Sequence, residues 1–291
     1  MRYRFLRFPE GKFKAVTFSY DDGVKVDLRL AEIFDRYGMK GTFNINPHHI
    51  LREEFDKFTT PDEIREHLLA KGHEIAIHGE QHIAPGVSRP IDAIRDALLG
   101  REQLEEIFEM TIRGRAYPDS GVRRFHNGNT YENVRGILEN IGIVYARTLG
   151  ADNNTFMLPT DWYNWVPTMH HSNKEGFDYI NSFLSQKEEN YRTASRHPRL
   201  FYVWGHSFEF RNNDNWELIE EICEKLSGKE DTWYATNMEI WEYCHAYDSL
   251  IWNAKGDTVY NPTFHKVWFD IDSRPFSVSP GETLKIEIEY K

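Results

Sequence analysis

Strand-like and helix-like segments alternate along most of this 291-residue chain, and this alternation limits the fold more than any other feature. Apolar, β-branched or aromatic stretches at residues 15–20, 41–45 and 200–204 are each followed by a segment with helical spacing. Strands that are separated by helices pair in parallel, with right-handed crossovers. Six or seven such units predict an α/β fold, a closed or nearly closed (β/α) barrel of about seven strands.

The last part of the chain has a different pattern. From residue 247 onwards, short strand-like segments, the last at residues 284–288, alternate with turn signals at Gly256, Pro262 and Pro280. We therefore predict a barrel domain over residues 1–246. A small C-terminal antiparallel β appendage over residues 247–291 would pack on this barrel.

Composition excludes several classes of partner. The formal charge of −11, from 35 basic and 46 acidic residues, disfavours binding to nucleic acid or to an anionic membrane. Residues 1–7 lack the apolar region of a signal peptide, and no apolar run reaches transmembrane length. Cys223 and Cys244 both lie in helix-like segments, as small buried side chains do in a reducing compartment. We expect a cytoplasmic protein. An oligomer is compatible with the sequence, but no feature supports one.

The strand at residues 15–20 ends in Asp21, Asp22 and Gly23. Because neighbouring side chains of a strand point to opposite faces, the two acids share a site only if the chain bends there, and Gly23 permits the bend. One acid would bind a metal ion while the other moves protons. For this stretch alone, a turn in which one Asp caps the next helix is an equally good interpretation.

Two histidines follow another strand. His78 and His82 come directly after residues 74–77 and would share one face if the segment turned helically. The spacing of Glu80 differs from that of the zincin helix motif. With one Asp, the pair would form a three-ligand set for Zn²⁺ or a similar divalent ion and leave a position open for water. Thirteen histidines make such a pair plausible by chance, so its position after a buried strand carries the inference.

Taken together, four segments resemble the polysaccharide deacetylase family, the NodB-homology domain of the carbohydrate esterase family 4 type. These segments are residues 19–23, residues 72–82, residues 116–118 and the strand-end His206. The likeness covers about residues 10–245, in the family's motif order. It implies a distorted (β/α) barrel and the hydrolysis of an N- or O-acetyl group on a carbohydrate by a metal-bound water.

The resemblance also implies roles by position. Asp21 would be the general base and His206 the general acid. The ligands of one divalent ion, Zn²⁺ before Co²⁺, Mn²⁺ or Fe²⁺, would be Asp22, His78 and His82. The residues that would bind a small-molecule or oligosaccharide substrate are Tyr117, Pro118, Asp161 and Trp162. A backbone N–H near residues 117–119 would hold the developing oxyanion.

The third motif departs from the family pattern. Many family members carry an Arg directly before the Pro-containing turn, where it pairs with the carboxylate of the base. Here Ala116 occupies that position, with Arg113 and Arg115 just upstream. The sequence therefore leaves open which residue contacts the carboxylate of Asp21.

Two other functions fit the same sequence. Without a signal peptide, a small acetylated sugar or an imported oligosaccharide is a better substrate than a cell-wall polymer. Within enzymes, the alternative is hydrolysis of a small cyclic amide or imide. In a different class, the chain would be a non-catalytic carbohydrate-binding protein that binds through its β appendage.

Overall fold

The computed structural model describes residues 3–149 and 152–287. Its strands are, in chain order, β1 (Arg4–Arg7), β2 (Lys14–Asp21), β3 (Gly41–Ile45), β4 (Glu74–Ile77), β5 (Gly114–Ala116), β6 (Tyr145–Arg147), β7 (Met169–His170), β8 (Arg199–Gly205), β9 (Thr232–Tyr234), β10 (Ile251–Trp252), β11 (Thr258–Tyr260), β12 (Val267–Ile271), β13 (Arg274–Val278) and β14 (Thr283–Lys285). Its helices are α1 (Asp27–Tyr37), α2 (Pro47–Leu51), α3 (Pro61–Glu63), α4 (Pro90–Phe108), α5 (Tyr131–Asn140), α6 (Gly176–Ser185), α7 (Ser207–Asn212), α8 (Glu217–Leu226) and α9 (Asn237–Asp248). Among the described residues, no helix is long and apolar enough to cross a membrane.

The main sheet confirms the distorted barrel. Its strands run in the order β6-β5-β4-β3-β2-β8-β7, all parallel, and β9 pairs with the start of β2. The sheet curls until a parallel bridge between Arg147 and Trp165 links β6 to the segment before β7. In such a fold the carboxyl ends of the strands meet at one end of the barrel, where functional side chains collect.

The register of the strands places four candidate positions at this end. Tyr20 of β2 pairs with Gly205 of β8, and Ala116 of β5 pairs with Arg147 of β6. Ile45 of β3 pairs with Ile77 of β4. The residues that end or directly follow β2, β4, β6 and β8 therefore lie level with one another.

Helices pack around the sheet because their apolar faces repeat at helical spacing. In α1, Leu30, Ile33 and Phe34 are buried, and the ring of Phe34 lies 4.7 Å from that of Phe18 in β2. Burial of each such side chain stabilises the fold by about 2 kcal/mol. At the start of α3, Thr60 and Glu63 form a capping box.

The opposite end of the barrel is closed by the N-terminus of α9. Asn237 accepts a hydrogen bond from Thr17 (2.9 Å) and donates one to the hydroxyl of Tyr202 (2.5 Å). Beside it, Glu74 of β4 accepts hydrogen bonds from three groups on β3, β6 and α9, namely Thr42 Oγ1 (2.8 Å), Tyr145 OH (2.6 Å) and Met238 N–H (2.9 Å). Burial outweighs these bonds and raises the pKa of Glu74 to about 7. This polar network ties the strands together below the site.

Two small antiparallel sheets lie outside the barrel, as predicted for the C-terminal part. One contains β10, β11 and β14, and the other contains β1, β12 and β13. The second sheet includes the N-terminal strand, which the sequence pattern did not indicate as a partner of the appendage. The division at residue 247 therefore stays a prediction. Ile288, the expected end of the last strand, lies outside the described residues.

Glu74 gives the fold a testable pH dependence. Its pKa of about 7 in the folded protein exceeds the usual value of 4.5, so the folded state binds this proton more tightly. We expect the free energy of unfolding to fall by roughly 2 kcal/mol between these two pH values, after allowance for the partial exposure of the carboxyl. The Glu74→Gln variant should lack this component.

The measurement is urea denaturation of parent and variant at several pH values across that window. Parallel pH dependence in the two proteins would contradict the assignment of a raised pKa to Glu74.

Candidate active site

Two adjacent carboxylates lie at the carboxyl end of β2. Asp22 has a φ of 81° and Gly23 a φ of 66°, so the chain bends sharply in the left-handed region. The bend lets both acids approach the same imidazole nitrogen, because Asp21 Oδ2 is 3.8 Å and Asp22 Oδ1 is 3.6 Å from His78 Nε2. The bend that the sequence required thus includes Asp22 itself, at a cost in backbone strain.

Asp22, His78 and His82 form a group that can hold a metal ion. Asp22 Oδ1 lies 3.6 Å from His78 Nε2 and 3.7 Å from His82 Nε2, close to the spacing of two ligand atoms on one tetrahedral ion. His78 Nδ1 lies 3.0 Å from the carbonyl oxygen of Ala116. If Nδ1–H donates there, the Nε2 lone pair faces Asp22. Burial lowers the pKa of His78 to about 3, so the ring stays in its neutral, ligating form. The residues fit a divalent cation.

A loop, not a helical turn, brings the two histidine rings together. Gly79 and His82 both have a positive φ, 81° and 59°. Asp96 of α4 accepts a hydrogen bond from Gln81 N–H (2.8 Å) and forms an ion pair with Arg115 (3.1 Å). A side chain at Gly79 would begin 2.5 Å from the Asp96 carboxylate, so glycine is required there. Arg115 therefore stabilises the histidine loop and does not contact the predicted base.

Arg147, at the end of β6, contacts the predicted base. Its Nη2 lies 2.6 Å from Asp21 Oδ1 and 2.5 Å from Asp21 Oδ2, and Asn44 donates to Oδ1 at 2.9 Å. The guanidinium is fully buried and lies over the ring of Trp204, 4.7 Å from its centroid. Burial disfavours ionisation of Asp21, but Arg147, His78 and His206 together hold the pKa of Asp21 below its usual value.

The sequence did not identify Arg147 as the partner of Asp21, because the family pattern points to an arginine near the third motif. Ala116, which occupies that motif position, pairs with Arg147 on the neighbouring strand. The guanidinium therefore reaches Asp21 from the same level of the barrel as the motif position, but from the neighbouring strand. Arg113 lies elsewhere, over the ring of Trp241. A usable signal was present in the sequence, since Arg147 is the last residue of the apolar, strand-like stretch 144–147.

His206 caps the start of α7 and faces Asp21. Its Nδ1 lies 3.1 Å from Glu209 Oε1, and its Nε2 lies 3.9 Å from Asp21 Oδ2. Burial lowers the pKa of this imidazole, but Glu209, Asp21 and Asp22 raise it more, and the net result is above the usual value. Hydrogen bonding to Glu209 fixes the proton on Nδ1, so Nε2 is the atom that can exchange a proton with substrate.

A second group of possible metal ligands surrounds Glu209. Its Oε2 lies 2.9 Å from His171 Nε2 and 3.3 Å from His170 Nε2. Ser172 N–H donates to His170 Nδ1 (3.2 Å), so that nitrogen is an acceptor and Nε2 carries the proton. His170 and His171 therefore face the Glu209 carboxylate as N–H donors, and His206 is a third donor. Burial opposes ionisation, but these histidines hold the pKa of Glu209 well below its usual value.

A cavity of about 480 Å³ opens above these groups. The predicted residues that line it are Asp21, His78, His82, Tyr117 and His206. Trp204, Asp119 and Arg124 also line it and were not among the predicted site residues.

Of residues 117–119, which were predicted to supply a backbone N–H to the oxyanion, only one has an N–H that is available. Tyr117 N–H donates to the carbonyl of Arg147 (2.9 Å), and Pro118 has no N–H. Asp119 lines the cavity with a φ of 48°, and its N–H donates to no acceptor within the described parts of the chain. Asp119 N–H is therefore the available donor of this stretch.

Three predicted substrate-binding residues do not line the cavity, namely Pro118, Asp161 and Trp162. Asp161 caps a short helical turn by accepting Tyr163 N–H (3.0 Å), and it also accepts from the hydroxyl of Tyr131. The ring of Trp162 packs edge-on against Trp165, 4.9 Å away, beside an apolar cluster. Substrate binding by these three residues stays a prediction, and Trp204 is the tryptophan that lines the cavity.

Comparisons with known proteins agree with this geometry. The sequence model of the family described as polysaccharide deacetylase matches residues 8–145. No curated protein matches the chain at a significant level. Among solved structures, a putative polysaccharide deacetylase from Mycobacterium smegmatis has 19% identity and a TM-score of 0.57, covering 85% of this chain and 96% of the other.

Two further solved structures share the fold. Puue Allantoinase has 14% identity and a TM-score of 0.58, with 82% of this chain and 92% of the other covered. A probable polysaccharide deacetylase from Pseudomonas aeruginosa PAO1 has 15% identity and a TM-score of 0.55, with 80% and 90% covered. At these identities the structures establish the fold, while residues 8–145 carry the sequence pattern of the family. The chain is therefore similar to the polysaccharide deacetylase family, in sequence over residues 8–145 and in fold over most of its length.

Proposed function

We propose that this protein is a metal-dependent hydrolase that removes an acetyl group from an N-acetylated or O-acetylated carbohydrate. One observation carries the proposal. A three-ligand group, a carboxylate that is kept ionised and a histidine with a raised pKa all meet at one cavity. Each of the three is needed for hydrolysis of an unactivated amide or ester at neutral pH.

Asp22, His78 and His82 would hold one divalent cation. A bound ion of this kind lowers the pKa of water and polarises the carbonyl of the acyl group. Two imidazoles and one carboxylate suit Zn²⁺ first, and Co²⁺, Mn²⁺ or Fe²⁺ are compatible with the same donors.

Asp21 would accept the proton of the attacking water. Its carboxylate lies beside the ligand group, 3.8 Å from His78 Nε2, and Arg147 keeps it charged. The arginine also fixes the orientation of the carboxylate, because it contacts both oxygens. As negative charge develops on the acyl oxygen, the N–H of Asp119 would donate to it.

His206 would donate a proton to the departing amine or alkoxide. Glu209 fixes its tautomer and favours its protonated form, which is the form that an acid requires. Because His170 and His171 also donate to Glu209, the carboxylate stays charged and oriented.

Hydrolysis of a small cyclic amide is the second candidate function. It is favoured by the match to Puue Allantoinase, at a TM-score of 0.58, and it would use the same groups. A non-catalytic carbohydrate-binding role is less consistent with the site, because a buried, charged cluster is costly to keep without a chemical use.

The ligand assignment is tested by comparing Asp22→Ala and His78→Ala with Asp21→Asn. We expect about one metal ion per chain in the parent and a loss of metal in the first two variants. Asp21→Asn should keep the metal and lose roughly 100-fold or more in turnover, because it removes only the base. The measurements are elemental analysis of purified protein and acetate release from a panel of N-acetylated sugars.

Each result decides between the candidate functions. Metal without acetate release, but with opening of cyclic amides, would favour the second candidate. Absence of metal after reconstitution, or its retention in Asp22→Ala, would contradict the proposed mechanism.

The role of Arg147 is tested against that of Arg115, the other buried arginine of this region. Arg147→Lys keeps a positive charge, but its shorter side chain moves the cation away from Asp21 and loses the planar contact with Trp204, so turnover should fall by roughly 10- to 100-fold with metal content unchanged. Arg115→Lys should weaken metal binding instead, because it disturbs the loop that carries His82. Parent-like turnover in Arg147→Lys would show that Asp21 does not need this contact.

The role of Glu209 predicts a shift in the pH profile. Protonated His206 is the active form, and Glu209 raises its pKa, so activity should be lost as pH rises through that pKa. In Glu209→Gln the pKa of His206 should fall, and the alkaline limb of kcat/KM should move to lower pH. Glu209→Asp should restore part of the shift, whereas an unchanged alkaline limb in Glu209→Gln would remove Glu209 from the mechanism.

A further inference from the structure

Two neighbouring arginines lie where the active-site cavity meets a second cavity. The second cavity measures about 450 Å³, and the described residues that line it are Ser120, Arg123, Arg124 and Leu149. Ser120, Arg124 and Leu149 also line the cavity above the metal-ligand group. The two cavities therefore adjoin, and Arg124 is the charged residue that they share.

Neither arginine has an anionic partner within residues 3–149 and 152–287. Some other exposed arginines of this acidic chain are paired, such as Arg36 with Glu220 and Arg89 with Asp92. Arg123 and Arg124 are exposed and form no ion pair or side-chain hydrogen bond with a described residue. The side chains of Gly150 and Ala151, which follow Leu149, carry no charge.

The cavity-lining acid that is closest in sequence to these arginines does not neutralise them. Asp119 also lines the active-site cavity, but its carboxylate lies 3.8 Å from His82 Nδ1 and outside ion-pair distance of Arg124. Two adjacent cations repel each other, so an external anion would be attracted there in spite of the net charge of −11. A guanidinium also matches the planar or tetrahedral oxygens of carboxylate, phosphate and sulfate.

We infer that the substrate is an acylated compound that also carries an anionic group, and that Arg124, with Arg123 beside it, binds this group. This inference rests on the proposed function, since the acyl group would lie at Asp22, His78 and His82. The active-site cavity, at about 480 Å³, accommodates a sugar-sized molecule, and the adjoining cavity gives room for its charged substituent. Arg124 is then a specificity residue that contacts a remote part of the substrate.

The test compares matched neutral and anionic substrates. The probes are N-acetylglucosamine, its 6-phosphate, its 6-sulfate and N-acetylmuramic acid, which carries a carboxylate. At low ionic strength we expect kcat/KM for at least one anionic member to exceed that for the neutral sugar by about tenfold, the effect of one charge-assisted hydrogen bond. The anion that gives the largest ratio identifies the chemical source of the charge.

Variants locate the effect. In Arg124→Gln the ratio of anionic to neutral kcat/KM should fall to near one, and in Arg123→Gln it should fall partway. Arg95→Gln removes a charge from an exposed position on α4 that lines neither cavity, and it should keep the parental ratio. A parental ratio near one, or equal losses for both substrate types in Arg124→Gln, would overturn the inference while leaving the deacetylase proposal intact.

If none of the four compounds releases acetate, the proposed function fails for acetylated sugars, and direct binding decides the inference separately. Isothermal titration calorimetry of the parent should show that N-acetylglucosamine 6-phosphate binds more tightly than N-acetylglucosamine. This difference in affinity should be lost in Arg124→Gln and kept in Arg95→Gln. Equal binding of the two sugars, or phosphate binding that survives in Arg124→Gln, would overturn the anion site.

Discussion

The buried ion pair between Asp21 and Arg147 is the interaction on which the rest of the site depends. Both side chains are withdrawn from water, and the positive charge of Arg147 helps to keep the buried carboxylate of Asp21 ionised. Arg147 lies on β6 and Asp21 on β2, and the strands between them must pair in the correct register to bring these residues level. The bridge between Arg147 and Trp165 then links the far end of the curled sheet to the segment before β7. Closure of the fold and ionisation of the base are therefore coupled.

Strain at the site is offset by polar contacts from its surroundings. Asp22, His82 and Asp119 all adopt the left-handed conformation that non-glycine residues avoid. The pair of Asp96 and Arg115 fixes the loop that carries His82. The three histidines around Glu209 do the same for the opposite wall of the cavity. The geometry is thus set by neighbouring groups, whose contacts offset the strain of the left-handed residues.

Much of this arrangement could be predicted because it depends on local patterns. The strands Gly41–Ile45 and Glu74–Ile77 were predicted with their observed bounds, and the rule that parallel strands end together brings Asp21, His78 and His206 to one cavity. Arg147 could not be identified, because its contact depends on the register of β5 and β6. Asp161 and Trp162 carry a motif resemblance, and the structure adds that Asp161 caps a turn and that Trp162 packs against Trp165. The pairing of β1 with β12 joins the two ends of the chain, which no local pattern encodes.

The central claim is that Asp22 binds the metal ion while Asp21 accepts the proton. Anomalous diffraction from crystals soaked in Zn²⁺ tests it most directly. The account predicts one strong peak about 2.0–2.2 Å from Asp22, His78 and His82, with Asp21 still paired to Arg147 and not bound to the ion. A peak between His170, His171 and Glu209 in place of this one would contradict the account. So would a site in which Asp21 has left Arg147 to become a ligand.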